Sequence, residues 1–369
     1  MLTHVLWFVL GLGALTLGAE LMVRGAARMA LTFGISPLVI GLTVVAFGTS
    51  APEMAVSAGA VLNGSGDLAI GNVVGSNIAN ILLILGLSAL IVPLTVADQV
   101  IRQEIPIMIG ASLLLVVLAL DGRIGVGEGT LLFALVIVYA IFLIVQSRRA
   151  GQELQEEFAD ELPPADSRWD AHWSVQILLV VGGLALLVVG ADWLVEAATA
   201  VARAFGVSEL VIGLTVVAVG TSMPEIATSL VAAWRGQRDI AVGNAVGSNV
   251  FNIFACLGLA GMISGDGLVV SAAARHFDLW VMLAVALACL PIAITGREIA
   301  RWEGGLFIAY YIAYTAYLVL AAQQHELLPA FSNVMLGYVL PLTVIGLVVS
   351  FVRGSRRQET AASLPPSSH

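Results

Sequence analysis

Residues 36–80 read SPLVIGLTVVAFGTSAPEMAVSAGAVLNGSGDLAIGNVVGSNIAN, and residues 208–252 read SELVIGLTVVAVGTSMPEIATSLVAAWRGQRDIAVGNAVGSNVFN. The two stretches lie 172 residues apart, align without a gap and are identical at 28 of 45 positions. Each places one glutamate, Glu53 or Glu225, in an otherwise apolar run. A carboxylate in hydrocarbon costs roughly 2.5 kcal/mol or more, so it must face a partner, a water-filled cavity or a cation. The same costly residue placed twice points to one shared site at a repeat interface, the arrangement of a secondary transporter.

Composition excludes a soluble protein: 59% of residues are apolar, 11% are charged and the mean hydropathy is +0.98. Apolar runs long enough to cross a bilayer core, about 20 residues each, recur along the chain. They predict eleven spans, near 3–23, 36–62, 68–92, 104–120, 126–146, 174–200, 208–233, 240–263, 278–295, 304–322 and 334–352. The net charge of −9 says little about partners, because seven acids fall in residues 152–170 alone. That segment reads as a solvated linker; it lacks the ligand pattern of an EF-hand, and nothing in the chain suggests a nucleic-acid surface. The N-terminus has no basic region ahead of its apolar run and reads as a retained first helix. Cys256 and Cys289 both fall in apolar runs, so neither a disulfide nor a metal site is expected of them.

All sixteen basic residues are arginines. With the N-terminus outside, the inner segments carry Arg24, Arg28, Arg102, Arg148, Arg149, Arg168, Arg235, Arg238, Arg297, Arg301, Arg353, Arg356 and Arg357. Only Arg123, Arg203 and Arg275 then lie outside. This is the asymmetry of the positive-inside rule. Five helices separate equivalent points of the two copies. Five is odd, so the second copy crosses in the opposite direction. The expected fold is an all-α polytopic membrane protein with two inverted five-helix repeats, ten core transmembrane helices and an eleventh C-terminal helix. Its parts are a first half at 1–146, an acidic linker at 147–173, a second half at 174–322 and an extra helix with an Arg-rich tail at 323–369.

Within the first copy, Gly48-Thr49-Ser50-Ala51-Pro52-Glu53 interrupts the span. Proline removes a backbone donor and clashes with the carbonyl four residues earlier, and in lipid a freed carbonyl needs protein, water or an ion. Thr49 and Ser50 offer oxygens at the same level, and Glu53 adds charge; oxygen-only ligands suit hard cations such as Ca²⁺ or Na⁺. A proline kink alone would account for one such segment, but not for a duplicated one with an intramembrane glutamate. In the next span Asn72, Ser76 and Asn80 recur every four residues, as do Asn244, Ser248 and Asn252, placing three polar groups on one helix face. Gly71, Gly75, Gly243 and Gly247 read as packing glycines. Asn77 and Asn249 fall off the stripe and are expected to hydrogen-bond behind it. Glu20, Asp192 and Glu196 read as interfacial, and Asp67 and Asp239 as helix caps. Gly64-Ser65-Gly66-Asp67 matches the GxGD of intramembrane aspartyl proteases, but in a loop and without its second glycine in the other copy. The five histidines are peripheral, so a serine–histidine intramembrane protease would lack its base, and no enzyme is expected.

GTSAPE with GNVVGSNIAN, repeated as GTSMPE with GNAVGSNVFN, resembles the α-repeats of the cation/calcium exchanger superfamily, in its prokaryotic sodium/calcium exchanger branch. The resemblance covers spans one to ten. It implies that Glu53 and Glu225 are the principal Ca²⁺ carboxylates, joined by the carbonyls of Thr49 and Thr221. It further implies that Ser50, Ser222, Ser76 and Ser248, with the carbonyls of Ala46 and Ala218, line flanking Na⁺ sites, and that Asn80 and Asn252 take the centre. Asn72, Asn244, Asn77 and Asn249 would support these ligands, and Pro52 and Pro224 would break the helices. Some members of the superfamily carry aspartate where this chain has Asn252, which leaves the exchange ratio open here. The implied activity is Na⁺/Ca²⁺ antiport by alternating access in a prokaryotic inner or plasma membrane, with the N-terminus outside and the C-terminus cytoplasmic. Lipid and the transported ions would be the partners, with no cofactor and no obligatory protein partner. A proton-coupled Ca²⁺ antiporter is the near alternative. A cation channel or a non-transporting scaffold is the distant one.

Overall fold

In lipid a spanning segment must satisfy its own backbone hydrogen bonds, so long apolar runs become helices. The computed structural model describes residues 2–149, 172–205, 216 and 218–346. The membrane helices are α1 (Leu2–Phe33), α2 (Pro37–Leu62), α3 (Gly66–Ile91), α4 (Val100–Leu118), α5 (Val126–Arg149) and α6 (Trp173–Ala204). They continue as α7 (Ala218–Thr221 and Met223–Trp234), α8 (Arg238–Ile263), α9 (Ala274–Ile294), α10 (Arg301–Ala322) and α11 (Leu328–Gly346). Ten of these are long and apolar enough to cross a membrane. The other, α7, is the span expected at 208–233, and its first part lies outside the described residues, as do most of the linker and the C-terminal tail.

Several boundaries differ from those read from hydropathy. Helix α1 continues ten residues past its expected end, through Arg24 and Arg28, to Phe33. Leaving the apolar slab does not end a helix; what ends this one is Gly34, at φ 63°. Helix α11 starts earlier than expected, at Leu328 rather than near residue 334, and its expected end at 352 lies outside the described residues. Asp67 and Asp239 are not caps. They lie in the first turns of α3 and α8, where a carboxylate meets the positive end of the helix dipole, behind cap residues Ser65 and Gln237. The turns that precede them are equivalent in the two copies. Gly64 and Gly236 both adopt φ 77°, with Ser65 N–H on the Ala60 carbonyl (2.9 Å) and Gln237 N–H on the Ala232 carbonyl (2.8 Å). This left-handed glycine closure explains the GxGD coincidence structurally.

Four strands of two residues each were not expected. β1 (Leu94–Thr95) pairs antiparallel with β4 (Glu298–Ile299), and β2 (Arg123–Ile124) pairs with β3 (Leu268–Val269). Their pairing reports topology. The α3–α4 loop meets the α9–α10 loop, and the α4–α5 loop meets the α8–α9 loop. Successive loops alternate sides, so the equivalent loops α3–α4 and α8–α9 lie on opposite faces of the membrane. The two halves are therefore inverted.

Enclosure is graded across the bundle. In α8 and α3, 83% and 72% of the spanning window is buried, against 6% in α10 and none in α11. The two most enclosed helices are those that carry the asparagine stripes. Helices α1 and α6 lie against each other through glycine: a Cβ added at Gly18 would stand 2.7 Å from the Gly183 carbonyl oxygen, and one at Gly183 would stand 2.7 Å from that of Gly18. Only glycine permits that approach.

Candidate cation site between the two repeats

Each repeat breaks its first helix at one serine. Ser50 (φ −80°, ψ 1°) separates the turn Ala46–Thr49 from the helix Ala51–Leu62, and Ser222 (φ −87°, ψ 7°) separates Ala218–Thr221 from Met223–Trp234. Both serines sit in the bridge region, the sparsely populated conformation common at functional sites. Pro52 and Pro224 occupy the first turn of the following helix, where proline is tolerated because that N–H would be unpaired anyway. Pro52 has no N–H to offer the Gly48 carbonyl, which is the local origin of the break. The second helix of each pair carries its own irregularity, a π-turn starting at Asn80 in one copy and at Asn252 in the other. Single π-turns often mark functional sites.

The halves interlock through these residues. Glu53 and Glu225 are buried, 0% and 1% exposed. The Ser222 hydroxyl reaches Glu53 Oε1 and the Ser50 hydroxyl reaches Glu225 Oε1, both at 3.4 Å. Each carboxylate is thus held by the serine that lies three residues before the other carboxylate. Ser76 Oγ lies 3.2 Å from Ser222 Oγ. Behind this layer the stripe asparagines act as braces. Asn72 Nδ2 donates to the Glu53 carbonyl (3.3 Å) and to Ser57 Oγ (3.1 Å), while its Oδ1 accepts from Thr221 Oγ1 (3.4 Å). Asn244 repeats the pattern with the Glu225 carbonyl (3.3 Å), Ser229 Oγ (2.9 Å) and Thr49 Oγ1 (3.1 Å). Every Thr–Asn and Ser–Glu bond joins one half to the other.

What distinguishes this cluster from interhelical packing is the set of polar atoms left over. Among the described residues, Glu53 Oε2, Glu225 Oε2, Asn80 Oδ1, Asn77 Oδ1, Ser248 Oγ and Asn252 Nδ2 are buried without a hydrogen-bond partner. Buried polar groups are ordinarily paired, and unpaired carboxylate oxygens are the costliest exceptions. Among the described residues the side-chain partners of the two glutamates are the serine hydroxyls. The residual oxygens are hard and carry two formal negative charges, which is the donor chemistry of a Ca²⁺ or Na⁺ site. Among the described residues no group of three or more His, Cys, Asp or Glu is assembled. The oxygens beyond the two carboxylates are therefore hydroxyls, amides and carbonyls.

Two more of the expected residues lie on the same broken helices, one turn before each serine. The Ala46 carbonyl accepts from Ser50 N–H (3.0 Å) and Thr49 Oγ1 (3.4 Å), and Ala218 opens the described part of α7. The two central asparagines are not equivalent: Asn80 Nδ2 donates to Asn249 Oδ1 (2.9 Å), leaving Asn80 Oδ1 bare, whereas Asn252 leaves its Nδ2 bare and turns Oδ1 to the Cys256 thiol (3.7 Å). Cys256 also contacts the Ser50 carbonyl (3.8 Å). Sequence reasoning placed this cysteine among apolar filler, although it continues the four-residue stripe 244, 248, 252. Ser57 and Ser229 were missed too; their signal was identity at equivalent positions of the repeat. Glu20 is not simply interfacial, since it pairs with Arg235 at 2.6 Å at the foot of α7. A separate open cavity of about 570 Å³, lined by Ser36, Asp98, Gln99, Arg102, Gln103, Gln146 and Ser147, lies away from these residues.

Comparison with known proteins gives a consistent picture. Residues 3–145 and 175–320 match the family described as sodium/calcium exchanger protein. The chain is 35% identical over 346 residues to sodium/calcium exchanger MaX1 of Methanosarcina acetivorans, covering 85% of this chain and 98% of that one. It is 38% identical over 294 residues to inner membrane protein YrbG of Escherichia coli (strain K12), covering 79% and 89%. Among solved structures, the sodium-calcium exchanger NCX_Mj superposes with a TM-score of 0.72 at 32% identity, covering 86% of this chain and 98% of that one.

Proposed function

The chain belongs to the sodium/calcium exchanger family, a family of membrane exchangers and not of enzymes, and from that premise we propose that it is a secondary antiporter that exchanges Na⁺ for Ca²⁺. The observation that carries the reading is the pair of half-satisfied carboxylates. Glu53 and Glu225 come from oppositely oriented repeats, are closed off from the surface, and each keeps one oxygen unpartnered. Two carboxylates balance one Ca²⁺. The carbonyls of Thr49 and Thr221 complete its ligands, and Ser50, Ser222, Ser76, Ser248 and Asn80 supply neutral oxygens on which Na⁺ competes.

Coupling follows from electrostatics. Reorienting the empty site would carry two uncompensated charges through low dielectric, at a cost of several kcal/mol each. Loaded forms are neutral or nearly so and can move. Transport in one direction then requires counter-transport in the other, and the gradients set the sense. The arginine asymmetry supports an N-terminus outside and a cytoplasmic C-terminus.

The test is ⁴⁵Ca²⁺ uptake into vesicles carrying the purified protein. An outward Na⁺ gradient should drive uptake, and K⁺ in its place should not. Because the unpaired oxygens of the glutamates could equally carry protons, a third arm imposes a pH gradient without Na⁺. Uptake in that arm alone would replace Na⁺ coupling with proton coupling. Uptake needing no counter-ion would mark a channel.

A further inference from the structure

Two methionines stand at equivalent places on α4 and α9, 174 residues apart, and each accepts a hydrogen bond from an asparagine of the opposite repeat. Asn249 Nδ2 donates to Met108 Sδ at 3.2 Å, and Asn77 Nδ2 donates to Met282 Sδ at 3.6 Å. All four side chains are buried, with exposures of 0–2%. The hydrogen bonds of the carboxylates run to serines and not to these sulfurs, and the exchange reading gives the methionines no role.

The chemistry of the acceptor matters here. A thioether sulfur accepts a hydrogen bond and has none to give. An amide beside it must turn N–H toward sulfur and oxygen away. From Met108 that orientation propagates: Asn249 gives its N–H to sulfur, so its Oδ1 is free to accept Asn80 Nδ2 (2.9 Å), and Asn80 Oδ1 is then left without a partner, facing the other way. On the other branch Asn77 gives Nδ2 to Met282 and to the Asn249 carbonyl (3.4 Å), leaving its own Oδ1 unpartnered. Reversing the Asn249 amide would set its N–H against Asn80 Nδ2 and force the Asn80 amide to turn, putting N–H where Asn80 Oδ1 is now bare.

The helices that carry the two sulfurs are themselves fixed one turn earlier. Glu104, four residues before Met108, accepts from Tyr139 of α5 (2.8 Å), Gln99 (3.0 Å) and Gln103 (2.9 Å). Asp278, four residues before Met282, accepts from Tyr314 of α10 (3.0 Å). A carboxylate–tyrosine tie between the fourth and fifth helices thus recurs in both halves, one turn from each methionine.

We propose that Met108 and Met282 are positioning residues of the cation site: the Met108 thioether holds the Asn249 amide and so keeps the Asn80 oxygen turned toward the ion, and the Met282 thioether holds the Asn77 amide against the Asn249 backbone and so steadies the same relay. The inference rests on the exchanger reading, and the two fail separately. The decisive variants are Met108→Leu, which keeps volume and apolarity, and Met108→Gln, which restores an acceptor at similar reach. Uptake of ⁴⁵Ca²⁺ driven by Na⁺ is measured beside calorimetric Ca²⁺ titration of the purified protein.

Met108→Leu should raise the half-saturating Ca²⁺ concentration about tenfold, the scale of one lost hydrogen bond, with the maximal rate within about twofold. Met108→Gln should recover most of that loss, which no packing role would produce. Met282→Leu, with a longer contact and a second acceptor for Asn77, should shift it about threefold, and it serves as the independent variant if Met108→Leu folds poorly. An unchanged Ca²⁺ affinity in the leucine variants, or a glutamine variant as impaired as the leucine one, overturns the inference. A wild type that binds Ca²⁺ without Na⁺-driven exchange overturns the exchanger reading instead, and the titration still tests the thioethers.

Discussion

Replacing Glu225 by glutamine isolates charge from shape. The amide keeps an oxygen where Oε1 now accepts from Ser50 at 3.4 Å, and it puts an NH₂ where Oε2 is buried without a partner. Folding should therefore survive, while the net charge offered to a divalent ion falls from two to one. A unit charge about 4 Å from a divalent ion contributes ~8 kcal/mol at an effective dielectric near 20. Dehydration of the ion and the retained neutral oxygen offset much of this, leaving a net loss of about 3–5 kcal/mol, as for a buried charge that loses its partner. Ca²⁺ affinity should fall by roughly a hundred- to several-thousand-fold. The assay is calorimetric Ca²⁺ titration together with Na⁺-driven ⁴⁵Ca²⁺ flux, with equal reconstitution verified. Glu53→Gln should match it, and the double variant should be little worse than either single one because the site works as a unit. Wild-type Ca²⁺ affinity and flux in Glu225→Gln would refute the reasoning outright.

Other expectations follow from the same contacts. Asn244→Ala removes bonds to the Glu225 carbonyl, Ser229 and Thr49 and should lower stability by about 2–4 kcal/mol, read as a lower unfolding temperature in detergent along with reduced flux. Gly64→Ala forces a Cβ onto φ 77° and should cost about 1–2 kcal/mol, with Gly236→Ala behaving alike in the same thermal assay. Arg235→Gln breaks the pair with Glu20, whose side chains are 53% and 31% exposed. A pair that open to its surroundings should matter little, about 1 kcal/mol at most, and Na⁺-driven flux should stay near wild type.

Much of this architecture was legible before any coordinates. The duplicated glutamate pointed to the seam where Glu53 and Glu225 now lie, the odd helix count required inversion, and the four-residue asparagine spacing put Asn72 and Asn244 where they brace Glu53 and Glu225. What escaped has identifiable causes. Hydropathy marks where lipid ends, not where a helix ends, so α1 ran past Arg24 and Arg28 to Phe33. A two-residue strand has too few residues to show alternation, so the loop pairings left no trace. Met108 and Met282 look like any methionine in an apolar run, and only superposing the halves reveals them as a pair. Cys256 extends the stripe of Asn244, Ser248 and Asn252, but its equivalent in the first copy is Ile84, so the duplication carries no signal at that position.

The two small ribbons have a consequence beyond topology. Each is made of one strand from either half, one ribbon on each side of the bilayer, so neither half owns a finished edge. The same holds for the carboxylates and their serines. A single half on its own would leave both ribbons half-built and both carboxylates without their serine, so these contacts exist only where the two halves meet.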